Sequence, residues 1–250
     1  MPCFPMACWE GKMRLDKLLC NLGVASRSGC RDILKAGRVR VEGAVWKDGS
    51  KNVPDGAAVS LDGVPLDTRL SRHLMLNKPA GVLTAAEDHK QKTVMDLLPS
   101  CYAAMGCMPV GRLDKDTTGI LILTTDGELA HRLIGPKYHV DKVYEAKVEG
   151  TLDESDQAAF LAGLPLKDFT ALPAKLEIMA PDIGRLTVQE GKYHQVKRMF
   201  GARGKPVAAL HRLSFGPLQL DDQLAPGDFR ELTGEEAAAL YQAAGMEYHE

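Results

Sequence analysis

Gly111-Arg112-Leu113-Asp114-Lys115-Asp116-Thr117-Thr118-Gly119, followed at once by Ile120-Leu121-Ile122-Leu123-Thr124-Thr125-Asp126-Gly127, is the stretch on which the architecture turns. A charged loop leads into residues 120–124, an apolar run short enough for a buried strand. Asp126 then offers an N-cap to a helix carrying Leu129, Ala130, Leu133 and Ile134, which stops at Gly135. Outward from this unit, strands and helices alternate without a strict period. Residues 73–77 read as a strand closed by the Lys78-Pro79-Ala80-Gly81 turn. Residues 142–149 alternate, placing Tyr144, Ala146 and Val148 on one face. Helices are expected over 153–163 and 193–201, and strands over 175–179, 184–189 and 207–213. Thr233 caps a final helix. The irregular alternation predicts a mixed α+β domain rather than a doubly wound sheet.

With 250 residues, 45% of them hydrophobic and 26% charged, the chain has room for one large domain, or for a small one and a medium one. No apolar run approaches the ~18–20 residues that a membrane span needs. The six cysteines (3, 8, 20, 30, 101 and 107) form no C-x-x-C pair and have no zinc-finger spacing to histidine, so they read as thiols of a reducing cytoplasm. Residues 1–12 have two prolines and no periodicity, and they lack the pattern of a signal peptide. They are expected to be a disordered or non-native extension, with Met13 as the physiological start.

The net charge of −2 hides an uneven distribution. Residues 221–250 hold eight acids against Arg230, whereas residues 13–40 hold seven basic groups against Asp16 and Asp32. A basic segment in an acidic chain points either to a polyanion partner or to a solvated helix face. Leu15, Leu18, Leu19 and Leu22 follow one helix face that ends at Gly23. Ser26 caps a second helix with Cys30, Ile33 and Leu34 inward and Gly37 at its end. Val39 and Val41 then alternate with Arg38 and Arg40 before a Glu42-Gly43 turn. Arg27, Arg31, Lys35 and Arg38 are expected along one rim, with Arg14 and Lys17 nearby, where they would grip the phosphates of a polyanion. The pattern M-R-L-D-K-L-L…S-R…A-G-R-V-R-V-E-G resembles the small alpha-L RNA-binding domain, covering residues 13–63. Residues 64–71 read as a linker, and 72–250 as the second domain.

Three chemistries compete for Asp114. Asp114, Asp116, Thr118 and Gly119 imitate the start of a calcium loop, but the twelfth position is Thr125, where a bidentate Glu is needed. Asp114-x-Asp116 imitates a phosphotransferase of the haloacid dehalogenase type. That motif must follow an apolar strand, and here the strand comes after it. The third reading pairs one Asp with a neighbouring Arg and an aromatic, as pseudouridine synthases do.

The remaining motifs carry this last resemblance over nearly the whole chain from Met13. They are N-K-P-x-G at 77–81, G-R-L-D-x-x-T-x-G at 111–119, D-K-V-Y at 141–144, E-G-K-Y-H-Q-V-K-R-M-F at 190–200, L-H-R at 210–212 and L-x-P-G-D-F-R-x-L-T at 224–233. In order, they resemble a pseudouridine synthase of the small-subunit ribosomal RNA type, the RsuA family. The resemblance implies a mixed, largely antiparallel sheet with flanking helices. It also implies an isomerase that converts a uridine of 16S ribosomal RNA to pseudouridine by base flipping. Tyr193-His194 and Leu210-His211-Arg212 favour the small-subunit branch over relatives that modify large-subunit RNA. A catalytically silent ribosome-assembly factor is the reading from another class.

By the same resemblance, Asp114 is the catalytic carboxylate and Tyr144 stacks on the uracil. Arg112 fills the space left by the flipped base or binds phosphate. Lys197 is the cationic partner of Asp114, with Arg198 the runner-up, and Leu210 walls the base pocket. His194 positions or contacts RNA, Lys115 adds a phosphate contact, and Asp116 is a turn residue. The isomerisation oxidises and adds nothing, so no cofactor or metal is expected. The expected partner is ribosomal RNA, naked or in a partly assembled small subunit, met by a cytoplasmic monomer away from membranes.

Overall fold

A computed structural model describes residues 13–54 and 56–248, so the extension expected over residues 1–12 lies outside the described residues. Contacts group the chain into two units. The first holds the residues up to 72 with 98–108, and the second holds 73–97 with 109–248.

In the first unit, α1 (Leu15–Asn21) and α2 (Arg27–Lys35) bury Leu15, Leu18, Leu19, Cys30 and Leu34. Ile33, expected inward, packs partly buried against this cluster. Ser26 caps α2 as expected, its Oγ accepting from the Gly29 amide at 3.2 Å. The helices cover a small sheet of β1 (Val39–Val41), β2 (Ala44–Val45), β3 (Val59–Leu61) and β4 (Val64–Pro65), in the order β2-β1-β3-β4. Each buried leucine or valine contributes about 1.5–3 kcal/mol relative to exposure.

Two hairpins give the sheet its register. Glu42 and Gly43 have φ of 49° and 77°, and Asp62 and Gly63 have 52° and 82°. Positive φ at both central residues is the two-residue turn that matches strand twist. The second hairpin makes Val64–Pro65 a strand, paired with Ser60 and Leu61, where a linker was expected to begin. The Asp62-Gly63 pair was the unread signal. Gly23 does more than end α1. A Cβ there would lie 2.7 Å from the Cα of Cys101, so the close approach of the helix Ser100–Ala104 requires glycine.

The second unit is built on one large sheet. Its main strands are β5 (His73–Lys78), β6 (Thr118–Thr124), β7 (Lys142–Val148), β8 (Lys175–Ala180), β9 (Ile183–Val188), β10 (Val207–Phe215) and β11 (Phe229–Glu231). Their order is β8-β9-β7-β10-β6-β5-β11. Neighbours on this path are antiparallel except β10 and β6, which run parallel. This is the mixed α+β, largely antiparallel architecture expected. Helices α3 (Gly127–Ile134), α4 (Glu154–Ala162), α5 (Gln195–Ala202) and α6 (Gly234–Ala243) flank it. Asp126 caps α3 through the Glu128 and Leu129 amides, and Thr233 caps α6 within a capping box. Ile120, Ile122, Leu129, Leu133, Phe215 and Leu240 lie in one core cluster.

The parallel pair positions the functional loop. β6 enters beside β10 with Gly119 opposite Arg212. Gly119 has φ of 104°, and a Cβ would sit 2.2 Å from the Arg212 carbonyl oxygen. No other residue fits there, which gives the last glycine of the Gly111–Gly119 motif its physical reason.

Asp156 ties α4 to the segment after α5. It is fully buried and accepts from the Asp153 amide at 3.0 Å, from Arg203 Nε at 2.9 Å and from the Lys205 ammonium. Burial alone would raise its pKa, but the bonds from Lys205 and Arg203 outweigh that and hold it below the ordinary carboxylate value. Asp156→Asn leaves two cations facing an amide and is expected to cost about 3–5 kcal/mol in denaturant unfolding. The native pKa is depressed, so this stability is present above the unfolded carboxylate value and is lost as pH falls through the native one.

Candidate active site

Asp114 stands in the loop between Leu113 and β6. Thr84 brackets Leu113 from both sides, its Oγ1 donating to the Leu113 carbonyl at 2.8 Å and accepting from the Leu113 amide at 3.2 Å. The Thr117 amide donates to the Asp114 carbonyl at 3.1 Å, closing the turn. Beneath it lies Lys78, a fully buried lysine that sequence reasoning passed over as part of a turn. Its ammonium donates to the carbonyls of Pro79 (3.0 Å), Lys115 (3.3 Å) and Thr117 (2.9 Å). The Gly81 amide adds a bond to the Lys115 carbonyl at 2.8 Å. The Asn77–Gly81 motif therefore works as a clamp on the Asp114–Thr117 backbone. Burial pushes the Lys78 pKa down to about 8, while Asp116 and Asp114 favour its charged form.

The partners of Asp114 come from α5. His194, in the left-handed region at φ of 48°, is the residue before the first turn of this helix. Gln195 is buried and pins the approach, accepting from the Lys192 amide at 3.0 Å and donating to Glu190 at 2.8 Å. With the helix so fixed, Lys197 Nζ lies 3.2 Å and His194 Nε2 3.4 Å from the two Asp114 oxygens. Lys197 also bonds Asp116 at 2.6 Å, closer than it approaches Asp114. Asp116, read as a turn residue, is thus the second anchor of this lysine. Burial opposes the charge on Lys197, but hydrogen bonds to Asp116 and Asp114 leave its pKa raised. The Lys197 bond also lowers the pKa of Asp116.

Arg198, the runner-up, is turned elsewhere. It pairs with Asp168 and lies over the Phe169 ring at 5.0 Å. One position on a helix is a 100° rotation, which separates neighbours that sequence alone leaves equivalent. Lys115 binds Gln91 at 2.7 Å. Arg112 is exposed at the mouth, with no hydrogen bond or ion pair among the described residues. Tyr193 is 72% exposed and stacks on His194 with ring centres 3.9 Å apart.

The sheet supplies the walls. Tyr144 lies opposite Arg212, and Ala146 opposite Leu210, so Tyr144, Leu210 and Arg212 share a face. A bulge between Val143 and Tyr144 shifts the register there, a device that re-aims side chains near functional sites. Tyr144 and Leu210 are both mostly buried and line one cavity with Arg112, Asp114, His194 and Lys197. The structure thus brings together Asp114, Tyr144, Arg112, Lys197, His194 and Leu210, and it leaves Arg198 to a different partner. Arg212, fully buried beneath Tyr144, was missed as a site residue. Its Nε donates to the Ile120 carbonyl at 2.8 Å and its Nη1 to the Tyr144 hydroxyl at 3.4 Å.

In the first unit, Arg14, Lys17, Arg27 and Arg31 line one concavity with Asp16. Lys35 continues the α2 stripe beyond it. Arg38, expected on the same rim, is instead held by Asp62 of the β3–β4 turn, with contacts of 2.5–3.1 Å. Among the described residues, no His, Cys, Asp and Glu cluster has metal-site character, and no helix is long and apolar enough to cross a membrane.

Tyr144 and Leu210 from one sheet face and Asp114 from the loop line a single cavity, apolar and aromatic on one side and charged on the other. Residues 72–202 match the RNA pseudouridylate synthase family and residues 13–59 match the S4 domain, and the chain belongs to the RNA pseudouridylate synthase family. It is 47% identical over 234 residues to an uncharacterized RNA pseudouridine synthase, YtzG, of Bacillus subtilis, covering 91% of this chain and 98% of that one. It is 42% identical to ribosomal small subunit pseudouridine synthase A of Yersinia pestis, again over 91% and 98%. The enzyme of the same name from Pseudomonas aeruginosa is 41% identical over 91% of this chain and all of that one. A crystal structure of a pseudouridylate synthase superposes with a TM-score of 0.65 at 34% identity, covering 91% of this chain and 99% of that one.

Proposed function

We propose that the protein converts a uridine of small-subunit ribosomal RNA to pseudouridine, with Asp114 as its catalytic carboxylate. The observation that carries this reading is the cavity in which Asp114, 3.2 Å from Lys197, faces Tyr144 and Leu210. The names of the Yersinia and Pseudomonas relatives support the small-subunit target. In the reaction the N1–C1′ bond breaks and the uracil turns. C5 bonds to C1′, the C5 proton leaves, and N1 takes up a proton. Atoms balance without an oxidant or a second substrate, so the chemistry itself calls for no cofactor or metal.

Asp114 acts either by attacking C1′ or by removing a ribose proton, and both routes need its ionised form. Lys197, 3.2 Å away, fixes the orientation of the carboxylate. Tyr144 stacks on the base and Leu210 walls the pocket beside it. Arg112, exposed at the mouth, fills the stack vacated by the uridine or binds its phosphate. His194 positions Asp114 and the incoming RNA. Arg14, Lys17, Arg27 and Arg31, on the first unit, dock the RNA through phosphates. On this reading the protein works as a monomer in the cytoplasm, on naked RNA or a partly assembled small subunit.

Pseudouridine mapping of ribosomal RNA, from cells with and without the protein, tests this reading. One 16S position is expected to lose its modification; loss confined to 23S RNA, or no loss, contradicts it. Lys197→Met is expected to lower kcat by about 10²-fold, the scale of one lost charged donor, with KM little changed. Lys197→Arg restores most of it. Single-turnover kinetics separate the two variants.

A further inference from the structure

A second cavity adjoins the first and shares Arg112, Tyr144 and Gly191 with it, but Asp114 does not line it. It measures about 560 Å³, within the range of ligand pockets. Arg112, Lys142 and Arg212 line it, together with Thr84, Tyr144 and Phe215, and none of its described lining residues is acidic. Lys142 and Arg212 are buried, at 6% and 2% exposure.

Buried cations are ordinarily paired with carboxylates. Among the described residues their hydrogen-bond and ring partners are carbonyls, a phenol and aromatic rings, and the Asp141 carboxylate acts on Lys142 through its charge alone. Lys142 Nζ donates to the Val140 and Gln189 carbonyls at 2.7 and 3.4 Å, which leaves one of its three N–H groups unused. Arg212 spends Nε on Ile120 and Nη1 on Tyr144, while its buried Nη2 has no hydrogen-bond partner among the described residues. The guanidinium lies 5.1 Å from the Phe215 ring centre and 5.9 Å from that of Tyr144, which fixes its direction. Burial, followed by the charge of Arg212, pushes the Lys142 pKa down to about 8. Two buried like charges and an unused donor, opening on a cleft with no acidic residue among its described lining, have the chemistry of an anion site.

We propose that this cavity is a phosphate subsite for the substrate RNA, in which Lys142 and Arg212 receive the phosphodiester next to the flipped uridine. The inference rests on the function proposed above. The shared wall at Tyr144 is what limits the occupant to a linkage within about one nucleotide of the target. A phosphate held there anchors the strand on one side of Tyr144 while the base is drawn to the other. Arg112, at the mouth of both cavities, closes over it.

The test uses the full chain and a 16S fragment containing the mapped uridine, with a neutral methylphosphonate replacing each nearby phosphate in turn. Equilibrium binding is read by fluorescence anisotropy across a salt series, and conversion is assayed on the same RNAs. One linkage beside the target is expected to weaken wild-type binding about tenfold when neutralised and to reduce the salt slope by about 0.7. Lys142→Met is expected to weaken binding to the unmodified RNA similarly, and to add nothing on the RNA neutralised at that linkage. Arg212→Met is expected to behave alike; should it fail to fold, the Lys142 cycle and the wild-type scan decide. Equal effects at every linkage, or additive losses in the Lys142 cycle, overturn the subsite. Inorganic phosphate that shifts the Lys142 ammonium resonance saturably, with no linkage effect, marks a site for a free anion and also overturns it. If wild-type protein binds the fragment but converts no uridine, the proposed function fails and the subsite with it; conversion with uniform linkage effects removes the subsite alone.

Discussion

Asp114→Asn is expected to lower pseudouridine formation by about 10⁴-fold, the upper end of what one positioned acid–base group supplies, while RNA binding stays within a few-fold of wild type. Two features make this substitution a clean one. Lys197 keeps its 2.6 Å bond to Asp116 when the charge at residue 114 is removed, so the cation does not wander. The loop is held through its backbone, by Lys78 on the carbonyls of Lys115 and Thr117, and owes little to the Asp114 side chain. The amide retains the size of the carboxylate and its acceptor oxygen. It loses the capacity to attack C1′ or to take a proton, so either chemical route stops. Turnover within tenfold of wild type would sink the assignment, and a lowered melting temperature would point to a structural role instead.

The joint substitution of Arg14, Lys17, Arg27 and Arg31 by Gln carries the second large effect. These side chains line one concavity in the first unit, and the packed core beneath them does not depend on their charge. Each phosphate contact contributes about 0.7–0.9 to the slope of log K against log salt, so four contribute about 3. Between 50 and 200 mM salt, that share alone is worth roughly 50- to 100-fold in affinity. The quadruple variant is expected to show the flatter slope and the weaker binding, with kcat at saturating RNA close to wild type. An unchanged slope would mean that the concavity faces no RNA.

Much of this was legible because it is local. The caps at Ser26, Asp126 and Thr233 announce themselves by residue type and by the periodicity that follows. The strand over 118–124 announces itself by four consecutive large aliphatics. The order of the motifs was enough to indicate the family and to nominate Asp114, Tyr144 and Lys197 together. What stayed hidden depends on partners distant in sequence. Lys78 looks like any loop lysine until carbonyls 37 and 39 residues away close on it. Asp116 reads as a turn residue until Lys197 arrives from 81 residues on. Arg212 sits in a strand otherwise read for its hydrophobic alternation, and only the register opposite Tyr144 shows what it serves. Arg38 was assigned to the rim by helix-and-strand geometry alone. Its pairing with Asp62 required knowing that residues 62 and 63 turn back in a hairpin.

The parallel contact between β10 and β6 has a consequence for the timing of activity. The carboxylate loop leads into β6, but the lysine that bonds Asp114 and the strand that lies beside β6 are made some 80 to 95 residues later. Pairings of such high sequence separation close late in folding, after local helices and hairpins have formed. A nascent chain therefore displays an RNA-gripping unit well before it owns a working isomerase. During synthesis the protein is a binder first and an enzyme only when β10 has slid into place against Gly119.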